Sequence, residues 1–279
     1  MSLRNIMYIL IVFMLLGGCR EMSAVKPIQM DKELSIIESR GIDALKNTKI
    51  FFGHASVGYN IIDGLENIRT SNDRFAEIMI RELKSGDGIN TQGIYHSVNG
   101  ENGFPKTKID GFRNFLREGG NGNRLDIAFF KFCYVDFDRN SDIKEIFDYY
   151  SKSIDEVKKE FPNLKIMHVS TPLYAHAWGL KGFVKSFVSE DTANIKRNEF
   201  NRLLVNKYKD LDPIYDLAII ESTLQDNTRV SFERKGEIFF SLAKQYTDDG
   251  GHLNEFGKFY AAKELLNVLC DIAMNINTK

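Results

Sequence analysis

Asp249 and His252 stand three residues apart in Thr247-Asp-Asp-Gly-Gly-His-Leu-Asn254, with two glycines between them. A carboxylate that orients an imidazole is half of an acid–base relay, which a serine hydroxyl completes as nucleophile. The glycines permit a turn tight enough to fold the carboxylate back on the ring, because they accept backbone angles other residues avoid. Asp248 competes for the orienting role, but the Asp-x-x-His spacing favours Asp249.

A partner must come from elsewhere in the chain. The apolar run Lys49-Ile-Phe-Phe52 predicts a strand and leads into Gly53-His-Ala-Ser-Val-Gly58. Val57, Ile61, Ile62, Leu65 and Ile68 then recur at helical spacing. Ser56 therefore opens a helix. It either caps that helix or serves as a nucleophile whose oxyanion is stabilised by the free N–H groups and the helix dipole.

The elements that must position these residues alternate in type. Leu34, Ile36, Ile37 and Leu45 among charged residues predict a helix over 30–46. Short strands are expected at 78–83 and 93–98, with a helix at 106–117. The run LDIAFFKFCY at 125–134 is almost wholly apolar, as in a strand covered on both faces. Helices follow at 142–160, 194–208 and 253–274, strands at 164–169 and 214–219, and 229–240 fits a hairpin or a helix equally. This order predicts an α/β fold, one domain over 30–279 with a mainly parallel sheet and helices on both faces. Sites in such sheets lie beyond the carboxyl ends of the strands, where Ser56 falls.

A formal net charge of −1 and the absence of any Lys/Arg cluster give no electrostatic basis for nucleic-acid binding. The glycine-rich stretch 118–122 has neither P-loop nor dinucleotide spacing. No cofactor is expected, and no metal, since the spacing of His54, Asp248, Asp249 and His252 matches no familiar ligand set. Cys133 and Cys270 form no disulfide framework and are expected as small buried hydrophobes. His168, inside an apolar run, reads as structural, and His96 precedes a loop. His54 either lines the site or packs within its turn. His176 and Trp178 in Tyr174-Ala-His-Ala-Trp-Gly179 form a sugar-stacking cluster or a packed loop.

The first residues have the character of a leader. Arg4 precedes an unbroken apolar run at 6–16, and Leu16-Gly-Gly-Cys19 closes it. The run is too short for a comfortable membrane span, and small residues precede the cysteine as at a cleavage site. The segment resembles the lipobox of bacterial lipoproteins. The resemblance implies a signal peptide at 1–18, lipidation at Cys19 and a tether over 19–29. It also implies a place in the bacterial cell envelope, at the outer membrane or cell surface, with membrane contact through the anchor only.

Taken together, the two ends of the chain resemble the SGNH/GDSL hydrolase superfamily. The likeness rests on the strand–turn–Ser56–helix and on Asp249-Gly-Gly-His-Leu-Asn254 before the last helix, and covers most of the chain after the leader. It implies a flavodoxin-like, three-layer α/β/α sandwich and hydrolysis of an ester or acyl group, on a small molecule or on a glycan bearing O-acetyl groups. It makes Ser56 the nucleophile, His252 the base and Asp249 the group that orients it. The chain departs from the family pattern in two places. His54-Ala55-Ser56 replaces the usual Gly-Asp-Ser, and the usual asparagine after the central strand is missing from Lys131-Phe-Cys-Tyr134-Val-Asp136. The oxyanion donors are then expected from Asn99, Asn102, Tyr134 or backbone alone, with Gly100 preferred over Gly103 for the family's glycine. Two other readings share these residues: a binding lipoprotein with a degenerate site, and an acyltransferase.

Overall fold

Alternation within one buried strand sets up the layers. In β1 (Lys49–His54), Ile50 and Phe52 face one side of the sheet and Phe51 the other, all three buried, as the two-residue period of a strand requires. The computed structural model describes residues 27–84, 86–176 and 190–277. Ahead of β1 lie α1 (Pro27–Leu34) and α2 (Ser39–Lys46). After it come α3 (Val57–Ser71), β2 (Ile80–Glu82), β3 (Gly93–Val98), α4 (Pro105–Arg117) and β4 (Ile127–Phe130). The chain continues through α5 (Ile143–Glu160), β5 (Lys165–Ile166), β6 (His168–Val169), α6 (Glu190–Tyr208), β7 (Ile214–Tyr215) and α7 (Leu217–Ser222). It closes with a hairpin of β8 (Ser231–Arg234) and β9 (Glu237–Phe240), then α8 (Glu255–Asn277).

The central sheet has the order β2-β3-β1-β4-β5, and every pair in it is parallel. Residues 165–169 form one stretch that pairs first with β4 and then, through β6, with β7. One cluster buries α1, α2, α3 and α8 against Ile50, Phe52, Ile127 and Phe129. A second buries α4, α5 and α6 against Phe51, Ala128 and Phe130. The result is the expected α/β fold, a three-layer sandwich with a parallel sheet in the middle.

Where α3 crosses α8 the two helices nearly touch. A Cβ at Gly64 would stand 2.4 Å from the Lys258 carbonyl oxygen and 2.8 Å from the Ala262 Cβ. Only a glycine fits that crossing. Each helix also carries or follows a residue of interest: Ser56 immediately precedes α3, and His252 lies just before α8.

Three expectations change in detail. The helix over 30–46 is broken between Leu34 and Ser39, because the Arg74 guanidinium takes the Leu34 and Ile37 carbonyls freed by the break. The strand expected at 214–219 stops at Tyr215, because Asp216 accepts the Ile219 N–H at 3.1 Å and starts α7. The ambiguous stretch at 229–240 holds the β8–β9 hairpin, turned by Lys235 and Gly236, both at positive φ. The leader at 1–18, Cys19, most of the tether and Trp178 lie outside the described residues. No helix among the described residues is long and apolar enough to cross a membrane.

Candidate active site

The turn that carries Ser56 is strained. Gly58 N–H donates to the Ala55 carbonyl at 3.0 Å, closing a four-residue turn in which Ser56 adopts φ 52° and ψ −114°. Those are the angles of the first central position of a type II′ turn, normally glycine. Among the described residues the other non-glycine residues at positive φ are Asn227 and Lys235, in the turns that flank β8. Holding a serine there costs on the order of 1–3 kcal/mol. The strain turns the hydroxyl away from capping duty, since Ser56 makes no side-chain cap bond to α3.

The hydroxyl meets His252 instead. Ser56 Oγ lies 2.9 Å from His252 Nε2, and His252 Nδ1 lies 2.7 Å from Asp249 Oδ2. With the carboxylate on Nδ1, the ring carries its proton there and offers Nε2 as acceptor to the serine hydroxyl. The other Asp249 oxygen, Oδ1, accepts the backbone N–H groups of Gly251 and His252, each at 2.8 Å. Gly250, at φ 95°, makes the bend that brings these groups together. Partial burial opposes the ionised form of Asp249. The backbone N–H groups and the His252 ring outweigh it and hold the carboxyl well below the usual carboxylate range. Asp248 points elsewhere, accepting from the Asn254 side chain at 3.3 Å. The same Asn254 caps α8 by accepting the Gly257 N–H at 3.1 Å.

Two tyrosines and an asparagine frame the imidazole. The Tyr134 ring stands edge-on to it, 5.8 Å between centroids, and Tyr174 donates from its hydroxyl to the Asp249 carbonyl at 3.2 Å. Asn60, one helical turn after Ser56, accepts the Leu253 N–H at 3.1 Å. That bond ties the histidine loop directly to the serine's helix. Asn60→Ala is expected to lower kcat about tenfold with little change in KM, because it loosens the Ser56–His252 geometry rather than substrate contacts. Steady-state kinetics on an activated ester checks the split.

The remaining sequence candidates divide. Asn99 is buried, and its Nδ2 donates to the Lys108 carbonyl at 2.8 Å. Asn102 Oδ1 accepts from Lys108 Nζ at 3.0 Å. Both side chains are thus turned into the base of α4. Gly100, at φ 65°, lies against the Lys108 backbone, and its N–H and that of Ser56 donate to nothing among the described residues. His54 is not brought to Ser56. It is wholly buried, with Nε2 3.0 Å from His96 Nδ1 and its own Nδ1 unpartnered among the described residues. His176 pairs with Asp191 at 2.8 Å and stacks on Phe232. Among the described residues no cluster of three or more histidine, cysteine or acidic side chains is arranged to hold a metal.

Sequence reasoning missed Asn60 and underrated Cys133. Cys133 is buried as expected, but its thiol also donates to the Ala55 carbonyl at 3.4 Å, the acceptor that closes the serine turn. Asn60 had a visible signal, being a polar residue one turn from Ser56 next to the apolar pair Ile61-Ile62.

The buried histidines give the fold an acid-sensitive layer. Burial, then the His96 ring and the Lys131 and Lys108 charges, push His54 down to about 2. Burial lowers His96 too, partly offset by Glu82 and Glu66. Below the ordinary histidine value of about 6.5, the unfolded chain takes up a proton that folded His54 refuses, so stability falls as pH falls. By pH 5 His54 alone costs about 2 kcal/mol. The melting temperature is expected to drop between pH 7.5 and 5.0, and to drop less in His54→Gln, as scanning calorimetry would measure.

No family model matches the chain, and no curated protein matches it. Solved structures do resemble it in fold. A GDSL-like lipase from Bacteroides thetaiotaomicron is 12% identical, with 92% of this chain and 99% of that one covered and a TM-score of 0.43. A carbohydrate esterase family 3 protein from Talaromyces cellulolyticus is 13% identical, with coverage of 82% and 99% and a TM-score of 0.47. The lipase/acylhydrolase from Enterococcus faecalis is 12% identical, with coverage of 82% and 96% and a TM-score of 0.43.

Proposed function

We propose that the chain is a serine esterase that cleaves an ester or O-acyl group through Ser56, His252 and Asp249. The observation that carries this is the 2.9 Å contact between Ser56 Oγ and His252 Nε2 at a serine whose backbone is strained. His252 Nε2 takes the hydroxyl proton as Oγ attacks the acyl carbon, and returns it to the departing alkoxide. Asp249 holds the ring in the required tautomer and stabilises the imidazolium that forms. The oxyanion is received by the N–H groups of Ser56 and Gly100, both free of other partners among the described residues. Water then attacks the acyl-enzyme with the same histidine as base.

Hydrolysis is favoured over acyl transfer because the Ser56–His252 pair is open to solvent, with the His252 side chain 45% exposed. A binding protein with a degenerate site would have no use for a strained Ser56 that forgoes capping its own helix. The substrate is a small-molecule or glycan acyl ester. The enzyme acts from a lipid anchor at Cys19 in the bacterial envelope, with no cofactor.

The test is covalent labelling. A fluorophosphonate probe is expected to modify Ser56, located by peptide mass spectrometry, and to stop turnover of a p-nitrophenyl ester in proportion. Absence of both labelling and turnover would sink the hydrolase assignment.

A further inference from the structure

The loops beyond β3 and β4 flank the serine turn. Val98 pairs in register with His54, two residues before Ser56. The 99–104 loop is tied to the segment after β4, since Gly103 N–H donates to Asp136 Oδ1 at 2.8 Å. Three of the polar side chains in these loops are engaged with the loops' own framework. Asn99 donates to the Lys108 carbonyl, Asn102 accepts from Lys108 Nζ, and Asp136 also accepts the Cys133 N–H at 2.6 Å. Glu101 in the first loop and Asp138 and Arg139 farther along the second stay exposed.

What these loops leave in solvent is apolar. Val98 is 57% exposed, Phe104 59% and Val135 44%, and Tyr59, on the first turn of α3, is 38% exposed. These four are half of the large hydrophobic side chains exposed among the described residues. Val98 closes β3, Val135 lies five residues past β4, Phe104 precedes α4 and Tyr59 is on the first turn of α3, so all four follow the carboxyl ends of β1, β3 and β4. Apolar surface gathered at one rim of a reactive group marks a binding surface.

We propose that this rim holds the acyl chain of the ester, so that the substrate class is an ester of an apolar acyl group longer than acetyl. The proposal rests on the serine-esterase assignment above and specifies its acyl side; the alcohol side is unconstrained by it. The acyl carbon attacked by Ser56 places the chain beyond it over Val98, Phe104 and Val135, away from the leaving alcohol.

The experiment is a chain-length series of p-nitrophenyl esters, acetate to octanoate, each below its micelle concentration. The expected kcat/KM for hexanoate exceeds that for acetate about tenfold, as partial burial of four extra methylenes predicts. Phe104→Ser and Val135→Ser are expected to lower the hexanoate-to-acetate ratio at least about threefold. Phe104 occupies the N-cap of α4, where serine is favoured, so that variant folds. A wild-type ratio at or below unity, or ratios unmoved in both variants, overturns the acyl-rim proposal and leaves the esterase standing. Failure to hydrolyse any ester, with no fluorophosphonate label on Ser56, overturns the esterase assignment itself and the rim proposal with it.

Discussion

Ser56→Ala is expected to abolish ester turnover, by about 10⁴-fold or more in kcat/KM, with a melting temperature almost unchanged. Alanine removes the hydroxyl that contacts His252 Nε2 but keeps the Cβ and the backbone strain. Ser56→Gly separates chemistry from strain. It also abolishes turnover, yet glycine accepts φ 52° and ψ −114° freely. Relief of the strain outweighs the extra freedom glycine has when unfolded, for a net gain of about 1 kcal/mol. In a domain of this size that raises the melting temperature by roughly 2–4 °C. Paired kinetics and calorimetry on wild type and the two variants check both halves. A glycine variant that melts below the alanine variant would show that the serine turn is not strained at a cost to the fold.

The second large effect is at the helix crossing. Gly64→Ala is expected to destabilise the protein by about 3 kcal/mol, because the new methyl meets a backbone carbonyl at 2.4 Å and cannot be accommodated by a side-chain shift. The resulting fall in melting temperature is roughly 6–12 °C. Activity should fall as well, even at temperatures where the variant is folded. Pushing α3 from α8 moves Ser56 against His252, whose 2.9 Å contact and Asn60 tether both span that crossing. Gly119→Ala is the control, since a Cβ there meets nothing within 4 Å; at φ 55° it carries only the local backbone penalty.

Much of this was legible from local pattern. The Asp249–His252 spacing and its two glycines carry their own geometry, because every bond within that turn joins residues at most three apart. The buried strands announced themselves as apolar runs, Lys49-Ile-Phe-Phe52 and Ile127-Ala-Phe-Phe130 above all. What stayed hidden depends on distant partners. Nothing near Leu34 predicts that Arg74, 40 residues on, will take its carbonyl and split a helix. Asn99 and Asn102 have the right chemistry for oxyanion donors, but their direction is set by Lys108, itself drawn inward toward Asp136 at 3.8 Å. Residue type gives the inventory of donors; packing decides which way they face.

The 196-residue separation of Ser56 and His252 has a consequence for biogenesis. The hydroxyl and its strand leave the ribosome long before the imidazole does, and α8 must dock on α3 before the two can meet. A chain still being made, or clipped ahead of residue 252, therefore carries Ser56 with no base beside it to activate it. On the proposed mechanism, ester turnover requires α8 to be docked, and so reports that the end of the chain is in place.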